Sequence, residues 1–242
     1  MGILHRDIRS SSDVPLVCRA CEARHGGVCA ALSPEQLSEL SRRSTRHRLD
    51  AGTEVVGQGE SMERYSNIVR GVVKLTKVMA DGRQQIVGLQ FAPDFLGRLF
   101  LSESAVAAEA ATDTEICSFS RGTLDQLVTR TPELGEKLHR QALKELDEAR
   151  DWMLTLGRKS AQEKVASFLH LIAVNIDPEN DSTASFDLPL SRADIADFLG
   201  LTIETVSRQF TRLRKENVIR LVNNRQVTVP DMALLTRLAG ND

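Results

Sequence analysis

The sequence contains no hydrophobic run long enough to cross a membrane and no familiar catalytic motif. None of its apolar stretches approaches the roughly eighteen residues that a transmembrane helix requires. The first residues, MGILHRDIRSSSD, lack the apolar core of a signal peptide, so we expect a cytoplasmic protein that does not contact membranes. G-x-S-x-G and P-loop patterns are absent and the five histidines share no motif, so we expect no enzymatic activity.

The chain also lacks an overall excess of positive charge. Its net charge of -2 excludes a protein coated with basic residues for binding nucleic acid. A local basic face remains compatible with that value, because seven Arg or Lys residues stand against four Asp or Glu residues between Ser191 and Arg225. With 242 residues, 41% of them hydrophobic, the chain can form one to three compact domains.

Residues 31–131 have the pattern of a domain built from many short strands. A helix signal, Ser33-Pro34-Glu35-Gln36, opens the segment. Short apolar runs broken by glycine follow, and Asp81-Gly82 between two of them is a strong hairpin signal. This pattern predicts a β jelly roll, preceded by an N-terminal arm at residues 1–30.

Residues 132–158 have the spacing of apolar residues that forms the seam of a two-helix coil. We predict a single dimerisation helix that pairs with its counterpart in a homodimer. The predicted seam consists of Leu138, Ala142, Leu146, Ala149, Met153 and Leu156. Two of these are alanines and several acidic residues lie beside them, so we expect a marginally stable coil that a bound group could bias.

Residues 159–242 carry the signals of a winged helix-turn-helix domain. A capping box at residues 160–163 opens one helix, and a polar loop follows at residues 175–185. Ser191 caps the next helix, which ends in a turn around Gly200, and Thr202 caps the helix after it. The pair Asn223-Asn224 predicts the hairpin turn of the wing.

Three side chains of the second helix are suited to reading base edges. Glu204, Ser207 and Arg208 stand at i, i+3 and i+4 and therefore share one face. Arg can bind guanine through two hydrogen bonds, Glu can accept one from cytosine, and Ser can bond either way. The alternative is that Glu204 and Arg208 form only a surface ion pair. The basic residues that follow them favour binding to double-stranded DNA. The predicted contacts to the DNA backbone are Thr202, Arg212, Arg214 and Lys215.

Cysteine is sparse, and three of the four cysteines lie in CRACEARHGGVC, residues 18–29. In a reducing cytoplasm such a cluster is better explained by thiolate ligands or redox groups than by disulfides. With the distant Cys117 the set supplies four thiolates, which suit a [4Fe-4S] cluster and also a tetrahedral zinc ion. A zinc knuckle has the spacing C-x2-C-x4-H-x4-C, whereas the intervals on the two sides of His25 are each one residue shorter. Taken alone, Cys117 in TEICSF could be a small buried apolar residue.

The order of jelly roll, long helix and winged helix-turn-helix, with ETVSR on the second helix, resembles the CRP/FNR superfamily of bacterial transcription regulators. The resemblance covers nearly the whole chain and implies an α+β fold with a sensor domain like those that bind cyclic nucleotides. E-x-x-S-R is similar to the FNR-type pattern, which implies a palindromic TTGAT-N4-ATCAA site read by a homodimer. RNA polymerase is then implied as a partner, through barrel loops such as residues 81–85.

The resemblance also implies what the cysteines hold. FNR-type proteins, the FnrL branch included, have three N-terminal cysteines and one in the barrel. Four positions match that pattern: Cys18, Cys21, Cys29 and Cys117. The implied cofactor is a [4Fe-4S] cluster that supports the DNA-binding dimer without oxygen and is converted towards [2Fe-2S] and lost in its presence. His25 then lies in a loop without binding iron, and Gly26-Gly27 lets that loop turn back.

The barrel sequence argues against a cyclic nucleotide as the effector. In relatives that bind one, a Gly-Glu turn and an arginine a few residues later hold the phosphate. Here Gly97 is followed by Arg98, and no arginine occurs between Leu99 and Cys117. A bound phosphate would lack its main countercharge. The alternative regulator of the same fold holds structural zinc, or takes another small molecule in its barrel.

Overall fold

A computed structural model describes residues 14–19, 21–176 and 182–240. They form two compact units, the first within residues 1–73 and 90–142 and the second within residues 74–89 and 143–242. Part of the N-terminal arm, and residues 177–181 of the expected polar loop, lie outside the described residues. No helix among the described residues is long and apolar enough to cross a membrane.

The arm is a chain of short helical turns. Its elements are α1 (Leu16–Arg19), α2 (Glu22–His25), a 3-10 turn (Val28–Ala31) and α3 (Pro34–Arg42). The capping box predicted for α3 is confirmed, because the Ser33 side chain accepts from the Gln36 backbone and the Gln36 side chain accepts from the Ser33 backbone. The cap therefore fixes where the arm ends and the barrel begins.

The predicted barrel is confirmed as two antiparallel sheets. Its strands are β1 (Ser44–Leu49), β2 (Glu54–Val56), β3 (Arg64–Arg70), β4 (Val72–Val78), β5 (Gln84–Phe91), β6 (Phe95–Leu96), β7 (Ala107–Ala110) and β8 (Thr114–Ser120). One sheet has the order β1-β8-β3-β6 and the other β2-β7-β4-β5. The hairpin predicted at Asp81-Gly82 joins β4 and β5, with Gly82 at a φ of +85° that favours glycine. Helix α4 (Arg121–Arg130) follows β8.

Helix α5 (Pro132–Arg158) has the predicted bounds and is continuous. Its first turns belong to the core of the first unit, where Leu134 and Leu138 pack with Val28, Leu37 and Tyr65. Leu138 is only 6% exposed, which corrects its assignment to the seam. Apolar periodicity shows which face of a helix is covered, but it does not show what covers it.

The second unit contains the predicted winged helix-turn-helix. Its elements are α6 (Ala161–Ile176), β9 (Ala184–Asp187), α7 (Arg192–Leu199), α8 (Ile203–Lys215), β10 (Arg220–Val222), β11 (Gln226–Val229) and α9 (Met232–Leu238). A three-stranded sheet of order β10-β11-β9 forms the wing. Asn223 and Asn224 have φ values of 50° and 57°, which confirms the predicted turn. Gly200 caps α7 at φ 60°, and the Trp152 ring of α5 packs 4.5 Å from that of Phe198.

The β4–β5 hairpin lies largely in the second unit, although sequence reasoning placed it in the sensor domain. Lys74 Nζ donates to Asp194 Oδ1 at 2.9 Å, and Gln84 Nε2 donates to Asp197 Oδ2 at 2.9 Å. Both acceptors lie on α7, the first helix of the helix-turn-helix. The hairpin therefore supports that helix through polar contacts, which no local sequence signal indicates.

Candidate cysteine site and DNA-reading helix

The four cysteines are all free thiols, placed on two parts of the first unit. Cys18 lies on α1, Cys21 precedes α2, and Cys29 lies in the 3-10 turn. Cys117 lies in β8, between β1 and β3. A site that uses all four thiols therefore requires the arm to lie against β8.

Two residues paired with Cys117 hold the arm. Arg46 on β1 and Asn67 on β3 are its register partners, and directly opposed residues share one face of a sheet. Arg46 Nη2 donates to the Val17 carbonyl oxygen at 2.6 Å, beside Cys18. Asn67 Nδ2 donates to Cys29 Sγ at 3.3 Å. The arm therefore lies over the sheet face that carries Cys117.

The electrostatics of the thiols agree with this placement. Burial raises the pKa of Cys29 to about 12, and the neighbouring thiols Cys117, Cys21 and Cys18 add to the rise. Burial also raises the pKa of Cys18, with smaller contributions from Cys21 and Cys117. The pKa of Cys117 is raised by burial too, against a hydrogen bond with Ser44. All four thiols thus lie within electrostatic reach of one another, and a bound cation would favour their deprotonated forms.

The thiols do not form a closed coordination site by themselves. Among residues 14–19, 21–176 and 182–240, no three His, Cys, Asp or Glu side chains converge closely enough to hold a metal ion. The donor chemistry nevertheless fits a thiolate-bound group, because soft sulfur ligands from two segments lie within electrostatic reach of one another. His25 is exposed at the end of α2.

Gly27 has a different role from the one expected. Its φ of -84° is open to any residue, so the loop does not need glycine in order to turn. A Cβ at this position would lie 2.8 Å from the Pro93 carbonyl oxygen and 3.0 Å from Ala23. Glycine is needed because the arm approaches the barrel closely.

The predicted DNA-reading face of α8 is exposed. Glu204, Ser207 and Arg208 all point to solvent, while Val206, Phe210 and Leu213 bury the opposite side. Thr202 caps the helix as predicted, accepting from the Thr205 backbone at 3.2 Å. The sequence therefore places an apolar face inside and the reading residues outside.

The charges on this face suit contacts with DNA. Hydrogen bonds with its own backbone and with Thr202 lower the pKa of Glu204, so its carboxylate is an acceptor at neutral pH. Arg208 Nη2 donates to Thr205 Oγ1 at 3.2 Å. Arg212 forms an ion pair with Glu216 at 2.8 Å, and it shares the exposed last turn with Arg214 and Lys215.

Arg192 joins the two helices of the helix-turn-helix, a role that the sequence did not indicate. Its guanidinium carbon lies 3.3 Å from the centre of the Phe210 ring, so it joins α7 to α8 by a cation–π contact. Burial lowers the pKa of this guanidinium to about 10. Its position after the cap Ser191 gave no signal of that contact, since the partner lies on another helix.

Comparisons with known proteins agree with both halves of the chain. Residues 163–238 match the Crp-like helix-turn-helix domain, and residues 46–131 match the cyclic nucleotide-binding domain. A probable transcriptional activator of Rhizobium leguminosarum bv. viciae is 63% identical over 93% of this chain and 93% of its own length. The transcriptional activator protein FnrL of Cereibacter sphaeroides is 41% identical over 95% of this chain and 96% of its own. The chain belongs to the CRP/FNR family.

The fold of a solved CRP/FNR protein agrees with this assignment. The structure of FixK2 from Bradyrhizobium japonicum has a TM-score of 0.72 and 32% sequence identity, covering 81% of this chain and 96% of that one. The chain is therefore a DNA-binding transcriptional activator similar to FnrL and FixK, and it is not an enzyme. The family is dimeric, which makes the exposed face of α5 relevant.

Most residues of the predicted dimer seam of this CRP/FNR protein are exposed apolar side chains on α5. Ala142, Leu146 and Ala149 are exposed, Met153 is 72% exposed and Leu156 is partly buried. Two exposed leucines were not predicted, Leu143 and Leu154. A single seam pattern omits them because they lie on the neighbouring stripe of the helix.

Gly97, in the turn expected to lack a countercharge for a cyclic phosphate, packs closely against the barrel itself. A Cβ on Gly97 would lie 2.4 Å from Tyr65 Cδ1, so the tyrosine ring packs directly over that glycine. The Tyr65 hydroxyl donates to the Arg98 carbonyl oxygen at 3.3 Å, and Arg98 is exposed. The match to the cyclic nucleotide-binding domain therefore describes the fold of the barrel. In this chain the turn at Gly97 packs against the ring of Tyr65.

Proposed function

We propose that this CRP/FNR protein is an oxygen-responsive transcription regulator in which Cys18, Cys21, Cys29 and Cys117 hold a [4Fe-4S] cluster. One observation supports this most strongly. Both register partners of Cys117 reach the arm, Arg46 at Val17 and Asn67 at Cys29. These contacts hold the arm, with its three cysteines, against the sheet face that carries Cys117. A Cys117 that served only as a packing residue would not require such contacts.

The cysteines must give up protons in order to bind the cluster. Burial and mutual repulsion favour protonated Cys18, Cys29 and Cys117, so binding depends on a cationic core that stabilises the thiolates. When bound, the cluster supplies the reactivity towards oxygen, and the residues around it supply its position. Loss of the cluster would leave the arm attached by fewer contacts.

The core of the first unit offers a route from the arm to the dimer helix. Val28, beside Cys29, packs in the same apolar cluster as Leu134 and Leu138 on α5. Gln36 Nε2 donates to Thr131 Oγ1 at 2.7 Å, immediately before that helix. A shift of the arm would therefore change the packing at the start of α5. Since the seam contains two alanines, a modest bias would change the population of dimer.

The proposed dimer reads TTGAT-N4-ATCAA through Glu204, Ser207 and Arg208 of each subunit. Thr202, Arg212, Arg214 and Lys215 hold the phosphates, which sets the register without selecting sequence. RNA polymerase is the proposed protein partner, through loops such as residues 81–85. No cyclic nucleotide takes part in this proposal, because no arginine between Leu99 and Cys117 supplies a countercharge for its phosphate.

Anaerobic purification tests the proposal. We expect a brown protein with about four irons and four sulfides per chain, which bleaches in air and then loses its affinity for the palindrome in fluorescence anisotropy. Cys117→Ser should abolish the cluster. Ser118→Ala is the matched control, since it lies next along β8 and bonds to Ser66 instead. A colourless protein with one zinc per chain would support the structural-zinc alternative and overturn the cluster.

A further inference from the structure

Asn67 combines deep burial with an incomplete set of hydrogen bonds. It is 1% exposed in β3, directly opposite Cys117. Its Nδ2 donates to Cys29 Sγ at 3.3 Å, whereas its Oδ1 is buried without a hydrogen-bond partner among the described residues. An amide that leaves its acceptor unsatisfied destabilises the fold, so an apolar residue would suit this strand better if packing were the only demand.

The chemistry of the contact determines how the amide must be oriented. A thiolate that ligates iron can accept hydrogen bonds but has none to donate. The amide must therefore present its NH₂ group to Cys29, which leaves Oδ1 on the unpaired side. An unpaired Oδ1 is therefore expected when the Nδ2 group of Asn67 donates to the Cys29 sulfur.

We propose that Asn67 is a positioning residue for the cluster, whose N–H···S hydrogen bond holds the Cys29 ligand beside Cys117. This inference rests on the proposed function of the four cysteines. Hydrogen bonds to ligand sulfurs set the potential and the retention of iron–sulfur centres. Asn67 spans the two ligand segments, since it bonds to the arm and stands opposite the strand cysteine. It is thus placed to oppose loss of the arm when the cluster is challenged.

The test compares Asn67→Asp and Asn67→Ala with Ser66→Ala. Asp keeps the size of the side chain but lacks the NH₂ donor, and Ala removes the group. Ser66 is the preceding residue of β3, is also buried, and hydrogen-bonds to Ser118 at 2.7 Å. Its removal therefore costs one buried hydrogen bond without touching a thiol. Thermal melts of the cluster-free proteins show that each variant is folded.

The principal measurement is cluster retention without oxygen. Each anaerobically loaded protein is mixed with a ferrous chelator, and the release of iron is followed by absorbance. Loss of a ligand's hydrogen-bonding partner typically lowers metal affinity about 10- to 100-fold. We expect release at least about tenfold faster from both Asn67 variants. Ser66→Ala should stay within about twofold of the parent chain. Resonance Raman spectra should show shifted iron–thiolate stretching bands in the Asn67 variants alone.

The outcomes separate this inference from the function on which it rests. If the parent chain takes up iron and sulfide but the Asn67 variants behave like Ser66→Ala, the role of Asn67 is refuted and the cluster stands. If the parent chain takes up no cluster, both proposals fail. If Asn67→Ala does not fold, Asn67→Asp alone decides, because its side chain fills the same space.

Discussion

The replacement Ala149→Leu measures how far the α5 seam limits dimerisation. Ala149 is exposed and lies one turn from Leu146, which is 45% exposed, and Met153, which is 72% exposed. Leucine adds three carbons, and each buried CH₂ contributes about 0.8 kcal/mol, so full burial would stabilise the dimer by about 2.4 kcal/mol per chain. Because the interface is two-fold, the substitution occurs twice in each dimer, which doubles this stabilisation. If each added side chain is only half buried, the dimer gains about 2.4 kcal/mol in total. That corresponds to a dimer dissociation constant about 50-fold lower.

The assay is sedimentation velocity on cluster-free, air-exposed protein over a range of concentrations. Lys144→Leu is the matched control, because it adds an exposed leucine to the same helix on another face, where the lysine is 68% exposed. Fluorescence anisotropy with the palindrome then shows whether the dimer that forms in air also binds DNA. Both measurements use the full chain.

The hypothesis of a marginal seam is wrong if Ala149→Leu changes the dissociation constant no more than Lys144→Leu does. It is also wrong if the air-exposed variant stays monomeric and does not bind DNA. In either case the barrier to dimerisation would lie outside the apolar seam, and the alanines would not explain a weak coil.

Three further predictions concern the arm and the second unit. Gly27→Ala would place a Cβ 2.8 Å from a backbone carbonyl oxygen of the barrel, so we expect faster proteolysis of the arm; Gly122→Ala, with open space around its Cβ, should not show it. Although burial opposes it, hydrogen bonds from its capping serine and from Lys74 hold the pKa of Asp194 below its usual range. The stability that its charge supplies is therefore present at neutral pH and lost as pH falls below about 4. Urea unfolding should show a flatter acid dependence for Asp194→Asn, together with about 1 kcal/mol less stability at pH 7. Arg208→Ala should weaken binding to the palindrome by about 1–3 kcal/mol and relax the preference at one base pair, whereas equal losses on all DNA sequences would contradict a base contact.

Local signals predicted much of the secondary structure, because each depends on residues close together in the chain. The cap Ser33, the hairpin at Asp81-Gly82 and the wing turn at Asn223-Asn224 all appear where the sequence places them. The bounds of α5 agree as well, since proline begins the helix and the apolar spacing continues through it. The resemblance to the CRP/FNR family covered the remaining architecture.

Contacts between distant residues were decided by the tertiary structure alone. Leu138 has the spacing of a seam residue, yet the barrel core covers it. Arg46 and Asn67 drew no attention in the sequence, but pairing with β8 puts both beside Cys117. Apolar periods and capping patterns specify how a segment folds and which face it buries. Which partner meets that face depends on strand order and register, and these follow from packing of the whole chain.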